Sequence, residues 1–486
     1  MFKLMLAPLI ALAGGGLVFL SRKGSKKLTF VLSEIIILLT AGAGGYLIFG
    51  GDVSCAELIR VTDTFTLAFR LDPTNRVFLG LICFLWPFSG LYAAEYMDED
   101  RHCARFMGFY TMTFGITVLL CLSANLFTLY CFYEMLTLIT LPLVTHYEDP
   151  DSLRAGMTYL KYTVGGAALG LMGLLVLSFF GGAGEFAAGG CLDPELVAGH
   201  ETLLRGAFVA AFIGFSAKAA IFPLSRWLPE ASVAPTPVTA LLHAVAVVNA
   251  GAFAAIRLIY HAFGTELIAG TWAQTAVLLL SAFTLLYGAV KALREQHLKR
   301  RLAWSTVSNL SYMLFSACVM TQAGMTGALN HMVSHGLMKI TLFFCAGIWL
   351  VRGERAELKD LKGIGKRMPF TAAVFMLAAI ALTGIPPLPG FLSKWRMLTA
   401  AVDQGSAAAI AGTASMVTAA VLCCAYVIVP AANMFFLGES TVSRGKPASD
   451  PGWKMKLTLA VLAAVLIFLS FDSGWLTGVL EAASVV

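Results

Sequence analysis

Charged residues are scarce in this chain of 486 residues. Asp, Glu, Lys and Arg together make up 13% of it, against about 25% in a typical soluble domain. Hydrophobic residues account for 58%, and the mean hydropathy is +0.80. This composition excludes an ordinary soluble fold and predicts an all-α polytopic membrane protein. The formal net charge of +6 is carried by short basic loops, so no nucleic-acid partner is expected.

Motifs for cofactors and metals are also missing. The ten cysteines are scattered, and none forms a CxxC pair, which excludes the common iron–sulfur and zinc arrangements. No GxGxxG motif follows a strand-like segment, so a dinucleotide-binding domain is excluded as well. We therefore expect no catalytic residues, no cofactor and no metal.

Long apolar stretches fill most of the chain. With about 20 residues needed per crossing, they predict about fourteen transmembrane helices. These begin near residues 3, 29, 76, 106, 124, 157, 204, 238, 272, 302, 326, 370, 406 and 455. The segment VTDTFTLAFRLD, between the second and third helices, alternates polar and apolar residues and predicts a short hairpin.

Basic residues concentrate in alternate loops of this count. They follow every odd-numbered span and include Arg22, Lys23, Arg101, Arg105, Arg154, Arg226, Arg300, Arg355, Arg444 and Lys446. The positive-inside rule places such loops on the cytoplasmic side. We therefore expect both termini outside, in the inner (plasma) membrane of a prokaryotic cell.

Two spans combine a lysine with a helix break. Lys218 is predicted inside the apolar helix of span seven, which Pro223 ends, and Lys394 follows the break GIPPLPGF in span twelve. Elements five spans apart cross the membrane in opposite directions, so the pattern predicts two inverted five-helix repeats with broken helices 7 and 12, as in many transporters. The predicted segments are 1–105 (helices 1–3), 106–263 (helices 4–8), 264–437 (helices 9–13) and 438–486 (helix 14).

Other ionisable residues lie within apolar spans. Glu134 is deep in span five, and membrane burial disfavours its charge and that of Lys218. Pairing would offset both penalties, so we interpret them as a proton-loading pair, with a packing role for Glu134 as the alternative. In span eleven, His331, His335 and Lys339 follow one another at i+4 on one helix face. A metal site is the alternative there, but no acidic residue accompanies the histidines, so we favour a hydrated proton relay.

Five sequence blocks in this order resemble one family. They are FYEMLTL, SAKAAIFPLSRWLPEASVAPTPVTALLHA, LKRRLAWSTVSNLSYM, NHMVSHGLMKITLFF and GIPPLPGFLSKW. They are similar to the antiporter-like, proton-conducting membrane subunits of respiratory complex I, membrane-bound hydrogenases and multisubunit cation/proton antiporters, and the resemblance extends from about Phe106 to Ala432. By spacing alone Lys299 is an ordinary basic anchor, but the resemblance implies a role for it in the relay. The implied relay residues are Glu134, Lys218, His243, Lys299, His331, His335, Lys339 and Lys394.

The chain departs from the family pattern at two positions. It has His297 where relatives often have Asp, and Asn249 where some have Lys, which implies a larger part for water and His243 in the middle of the relay. Lys394 occupies a position that is glutamate in some paralogues, so the paralogue type stays open.

The resemblance implies a proton-translocating membrane subunit, with sodium as a second candidate ion, in a redox-driven respiratory or energy-converting complex. It implies no redox chemistry in the chain itself, which would be the pumping subunit of an NADH:quinone oxidoreductase-like or hydrogenase-like translocase. Other membrane subunits, a peripheral redox arm and the lipid bilayer are the expected partners. The alternatives are a cation/proton antiporter subunit without a redox partner, a quinone-interacting enzyme subunit, and a structural membrane anchor.

Overall fold

The computed structural model describes residues 2–21, 25–51, 53–353, 356–436, 449–471 and 473–484, and nearly all of them are α-helical. The helices of the first half are α1 (Phe2–Leu20), α2 (Lys26–Phe49), α3 (Pro73–Tyr96), α4 (Cys103–Cys121), α5 (Leu126–Val144), α6 (Pro150–Phe179), α7 (Pro194–Val197), α8 (Glu201–Phe215), α9 (Trp227–Glu230), α10 (Thr236–Ala244) and α11 (Val247–Arg257). Those of the second half are α12 (Thr265–Ile268), α13 (Trp272–Arg294), α14 (Leu298–Cys318), α15 (Gln322–Gly353), α16 (Pro369–Thr383), α17 (Pro389–Gln404), α18 (Ala407–Cys423), α19 (Val429–Phe436), α20 (Trp453–Phe471) and α21 (Ser473–Ala483).

Each of the predicted spans corresponds to a helix or a pair of helices. Among the described residues, 11 helices are long and apolar enough to cross a membrane, or up to 12 if a bent pair is counted as one span. The number is below the prediction because breaks shorten α8 and α16 to 15 residues each, and because α14 is rich in polar side chains. The predicted multi-pass, nearly all-helical membrane architecture is confirmed.

The predicted hairpin lies between α2 and α3. Its strands are β1 (Val53–Arg60) and β2 (Thr66–Leu71), which pair antiparallel. The segment VTDTFTLAFRLD supplies the turn and the second strand only, so the prediction was wrong about the first strand, which lies upstream. The turn is closed by a hydrogen bond from the Val61 amide to the Phe65 carbonyl, 2.9 Å long.

In the described part of the chain three spans are interrupted, and two of the interruptions were predicted. The first follows α8, and the third separates α16 from α17. The second falls at Val245 and Ala246, between α10 and α11, and was not predicted. The placement of Lys218 inside a helix was wrong: α8 ends at Phe215, so Lys218 lies within the break itself.

Contacts between loops divide them between two ends of the helix bundle. At the end that carries β1 and β2, the hairpin end, Arg70 pairs with Glu185 at 3.2 Å, and the Thr74 hydroxyl donates to the Ala483 carbonyl at 2.7 Å. At the opposite end, the basic end, Arg352 pairs with Glu95 at 2.9 Å. The α1–α2 connection is at the basic end too, because the Lys26 ammonium donates to the Asp98 carbonyl at 2.9 Å. The start of α1 and the helix α21 therefore both lie at the hairpin end.

This division follows the predicted alternation of basic loops. Arg101, Arg105 and Arg226 are at the basic end, whereas Arg22, Lys23, Arg355, Arg444 and Lys446 are outside the described residues. The helices also differ in how much of their surface is buried. The span Thr236–Phe263 is fully enclosed by other helices, whereas only 33% of the apolar stretch of α20 is buried. His243 lies on this enclosed span, and His331, His335 and Lys339 lie on α15, of which 89% of the apolar stretch is buried.

Candidate functional site

The break after α8 is held by side chains of neighbouring elements. The Tyr133 hydroxyl donates to the Phe215 carbonyl at 2.8 Å, and the Trp227 indole donates to the Ala217 carbonyl at 3.0 Å. Ala220 has a φ of +58°, in the left-handed region that favours glycine. Irregular backbone is tolerated at membrane depth where protein satisfies its polar groups, and here protein does so.

Lys218 is fully buried in this break. Its ammonium donates to the Tyr133 carbonyl and lies 3.5 Å from the centroid of the Tyr133 ring, a cation–π arrangement. Glu134, the next residue of α5, is half-buried, and its Oε1 has no hydrogen-bond partner within the described chain. Glu134 and Lys218 are thus close neighbours without a direct ion pair.

Lys394 lies at the break between α16 and α17. Its ammonium donates to the carbonyls of Leu382, at 2.7 Å, and Thr383, at 3.2 Å. These are the last carbonyls of α16, where a cation is favoured by the helix dipole and by the missing helical donors. Gly384 ends that helix at a φ of +91°. The predicted position of Lys394, just after the break, agrees with the structure.

Each of the two lysines at the predicted helix breaks lies beside a tyrosine ring. Lys218 of span seven lies over the ring of Tyr133 in span five, and Lys394 of span twelve lies 5.0 Å from the ring centroid of Tyr312 in span ten. Both members of the second pair come five spans after their counterparts. The correspondence supports the inverted repeats, whose boundaries stay a prediction.

The unpredicted break between α10 and α11 exposes two backbone carbonyls to other partners. His335 Nε2 lies 3.3 Å from the His243 carbonyl oxygen, and the Asn249 amide donates to the Ala244 carbonyl at 2.9 Å. Both ring nitrogens of His243 are buried without a partner in the described chain. The one sequence signal for this break was Asn249, a polar residue within an apolar run.

The predicted stripe on α15 contacts three other helices. His335 contacts α10 through the His243 carbonyl. His331 Nδ1 lies 2.9 Å from the Ser393 hydroxyl of α17, and Lys339 donates to the Leu302 carbonyl of α14 at 3.0 Å. All three stripe residues are fully buried, so Lys339 does not face lipid. Ser393 was missed by sequence reasoning, which gives no reason to single out a serine beside Lys394.

Lys299 is buried as well, although its position near the basic end suggested an exposed anchor. Its ammonium donates to the Ala234 carbonyl at 2.8 Å, in the loop before α10. It therefore points into the bundle. Among the described residues, no three His, Cys, Asp or Glu side chains are placed to hold a metal ion together.

Gly251 lies where α11 packs against the backbone break that contains Lys218. A Cβ atom on Gly251 of α11 would lie 2.5 Å from the Ala219 nitrogen and 3.0 Å from Lys218 Cβ. Only glycine allows α11 to approach the Lys218 break so closely. The helix that follows the His243 break thus packs directly on the backbone of the first break.

A buried ion pair at the hairpin end was not predicted. Arg257, with no exposed surface, donates to both carboxylate oxygens of Asp72, at 2.6 and 2.7 Å. Burial opposes ionisation of Asp72, but Arg257 and Arg70 outweigh it and hold the pKa of that carboxyl well below its usual range. The pair ties the end of α11 to the start of α3.

Comparisons with known proteins agree with this architecture. Residues 123–422 match the family described as NADH:quinone oxidoreductase/Mrp antiporter, TM, a range that contains every predicted relay residue. Hydrogenase-4 component B of Escherichia coli (strain K12) is 30% identical over 434 residues, which cover 84% of this chain and 63% of that protein. The chain thus spans less than two thirds of the length of this relative.

Two solved structures share the fold. A chain of the membrane-bound sulfane sulfur reductase, an archaeal respiratory membrane complex, superposes with a TM-score of 0.86 at 20% identity, over 100% of this chain and 97% of that one. A chain of the Mrp complex from Dietzia sp. DQ12-45-1b gives 0.84 at 25% identity, over 99% of this chain and 52% of that one. With more than half of its length matched, the chain belongs to the NADH:quinone oxidoreductase/Mrp antiporter transmembrane family.

Proposed function

We propose that this chain is a proton-translocating membrane subunit of a redox-driven respiratory or energy-converting complex, with sodium as a second candidate ion. The observation that carries the proposal is a set of buried ionisable side chains, linked through broken backbone, that extends from Lys218 to Lys394. A buried charge in a membrane helix costs at least a few kcal/mol and by default marks an ion pathway. A passive anchor would have no use for these groups.

The route we propose begins at Glu134 and Lys218. From there it passes the Gly251 contact to His243, continues through His335 and His331, and ends at Lys394, with Lys299 and Lys339 beside it. Several buried polar atoms on or near this route lack partners in the described chain: Glu134 Oε1, both His243 ring nitrogens, Asn309 Oδ1, Asn330 Nδ2, His331 Nε2 and His335 Nδ1. Buried polar atoms are rarely left unpaired, so water is their natural partner and the bridge between neighbouring side chains.

The proposal includes the setting of the chain. Its partners are other membrane subunits and a peripheral redox arm, since the matched family and the relative with hydrogenase in its name point to complexes. Its location is the inner (plasma) membrane of a prokaryotic cell, with both termini outside. The two repeats occupy 106–263 and 264–437, so that Lys218 connects towards the basic end and Lys394 towards the hairpin end.

A cation/proton antiporter subunit without a redox partner is the second candidate. The similarity to a chain of an Mrp complex, at 25% identity, favours it. The relay would serve either function, because only the source of the driving force differs. No observation on the described residues favours the quinone-interacting alternative.

Substitutions of Glu134 and Lys218 in the intact complex test the proposal. In proteoliposomes, Glu134→Gln and Lys218→Ala should each abolish most proton translocation, measured with a pH-sensitive dye, while the complex still assembles. Lys291→Ala is the matched control, because Lys291 is an exposed lysine of α13 away from the relay. Normal translocation in both relay variants would refute the proposal. Driving the wild type with an electron donor or with a cation gradient separates the two candidate functions.

A further inference from the structure

A cavity of about 500 Å³ lies at the basic end of the bundle, between the end of α1 and the starts of α2 and α4. All three helices are long and apolar enough to cross a membrane. Their ends therefore lie near the level at which the apolar interior of a bilayer gives way to its polar headgroups. The cavity is thus placed where the headgroup of a lipid would be.

Basic side chains from separate elements line this cavity. They are Lys26 of α2, Arg101 of the α3–α4 connection and Arg105 of α4. Arg105 is paired with Glu148. The Lys26 ammonium donates to the Asp98 carbonyl, which carries no net charge, at 2.9 Å. Arg101 is exposed and forms no ion pair with another described residue. Two positive charges in the cavity are therefore left for an anion.

The start of α4 faces the same cavity. Its first two residues, Cys103 and Ala104, line it, and the first amides of a helix lack partners within the helix and favour an anion. The Asp100 carboxylate, next to Arg101 in the chain, is already engaged by the His102 amide, at 2.6 Å, and by His146, at 3.2 Å. The helix dipole thus adds to the attraction of the two cations.

The remaining surface of the cavity is apolar. Phe19 and Phe109 line it, edge to face, with their ring centroids 4.9 Å apart. Leu20 and Leu28, beside the cavity at the end of α1 and the start of α2, are 76% and 54% exposed. The site therefore joins a basic mouth to apolar surface of the membrane-crossing helices, the arrangement that an amphipathic anion needs.

We propose that this cavity binds the headgroup of an anionic phospholipid, with Lys26 and Arg101 holding its phosphate and an acyl chain lying against Leu20 and Leu28. Basic pockets between transmembrane helices suit such headgroups, and the arginine fork matches the geometry of phosphate. These residues all precede the matched range 123–422. The inference does not depend on proton translocation.

An acidic segment of a neighbouring subunit would also complement the two cations. It would leave the aromatic surface and the exposed leucines without an apolar partner, whereas a phospholipid supplies both a phosphate and an acyl chain. Basic residues elsewhere at this end have a different setting. Lys362 and Lys366 are exposed, and neither lines the cavity. They therefore provide a matched control.

Labelling of the intact complex with photoactivatable phosphatidylglycerol tests the site. The measured quantity is the lipid concentration that gives half-maximal labelling of peptides from α1, α2 and α4. In Lys26→Ala/Arg101→Ala this concentration should rise about thirtyfold, which corresponds to about 2 kcal/mol for the two basic residues. Both side chains are exposed, so the variant should assemble normally. Lys362→Ala/Lys366→Ala removes the same charge from the same end and should label as the wild type does.

Two further arms identify the ligand. Photoactivatable phosphatidylcholine should label these peptides no more than other lipid-facing peptides, because its headgroup has no net charge. Millimolar inorganic phosphate should leave the phosphatidylglycerol labelling unchanged, because it has no acyl chain. Equal labelling by the two lipids, full displacement by phosphate, or equal effects of the two double variants would overturn the inference. No labelling of α1, α2 and α4 in the intact complex would also overturn it, because a neighbouring subunit would then cover the cavity.

Discussion

Four buried lysines of the bundle all donate to backbone carbonyl oxygens. They are Lys218, Lys299, Lys339 and Lys394. A carbonyl is a dipole without net charge, so an ammonium that loses its proton leaves no buried anion behind. A carboxylate partner would be left as an uncompensated charge, which is strongly destabilising. Such lysines can keep their positions in either protonation state, as the proposed relay needs.

Asp72→Asn should destabilise the protein, because it removes the carboxylate charge that compensates the buried Arg257 guanidinium. Breaking a buried ion pair in this way costs about 3–5 kcal/mol. The folded pKa of Asp72 is lowered, so this contribution is present above the unfolded value of about 3.9. It is lost as the pH falls from there towards the folded pKa. Thermal unfolding of the purified protein at pH 7 and at about pH 3 measures both effects.

The control for this prediction is Glu57→Gln. Glu57 forms an exposed pair with Arg60 at 3.1 Å, and exposed pairs contribute about 0–1 kcal/mol. Equal losses of stability in the two variants, or a loss in Asp72→Asn that does not shrink in acid, would contradict the argument.

Sequence reasoning found ionisable side chains more readily than their partners. A charge within an apolar run is visible in the sequence, and each of the lysines singled out this way is buried in the structure. Their acceptors are not visible, because every residue has a backbone carbonyl. The Asp72–Arg257 pair was also missed, since it joins residues 185 positions apart.

The helix breaks, too, were only partly predictable from the sequence. Pro223 and the segment GIPPLPGF predict two breaks, because a proline inside a helix removes a backbone hydrogen bond and kinks or breaks the helix. The first break nevertheless begins seven residues before Pro223, just after Phe215, where Tyr133 and Trp227 satisfy the freed carbonyls. The break after Ala244 contains no proline or glycine. The His243 carbonyl beside it lies 3.3 Å from Nε2 of His335, which is 92 residues away in the chain.

Gly251→Ala tests whether close packing of α11 on the Lys218 break matters. The added Cβ would lie 2.5 Å from the Ala219 nitrogen, so the helix and the break must separate. Overpacking of this kind costs about 1–3 kcal/mol, and we expect both a lower unfolding temperature and slower proton translocation. Gly165→Ala is the control, because Gly165 is a helical glycine with nothing within 4 Å of an added Cβ. Wild-type translocation in Gly251→Ala would show that this contact is not part of the route.

On the scale of the whole molecule, the loops form two chemically different ends. At one end, the hairpin contacts the loop that carries Glu185, and α21 contacts the start of α3, which follows the hairpin. The loops with Arg101, Arg105 and Arg226 lie at the other. The alternation of basic loops predicted this division, since an error of one span would have mixed the two sets. Contacts within the protein define the ends but not the compartment that each faces.

Labelling of single cysteines decides the orientation. In a chain whose ten cysteines are replaced by serine or alanine, Thr62→Cys marks the hairpin end and Lys359→Cys marks the basic end, and both positions are exposed. With basic loops held in the cytoplasm, a membrane-impermeant maleimide added to intact spheroplasts should label Thr62→Cys and leave Lys359→Cys unlabelled until the membrane is permeabilised. The reverse pattern would place both termini inside.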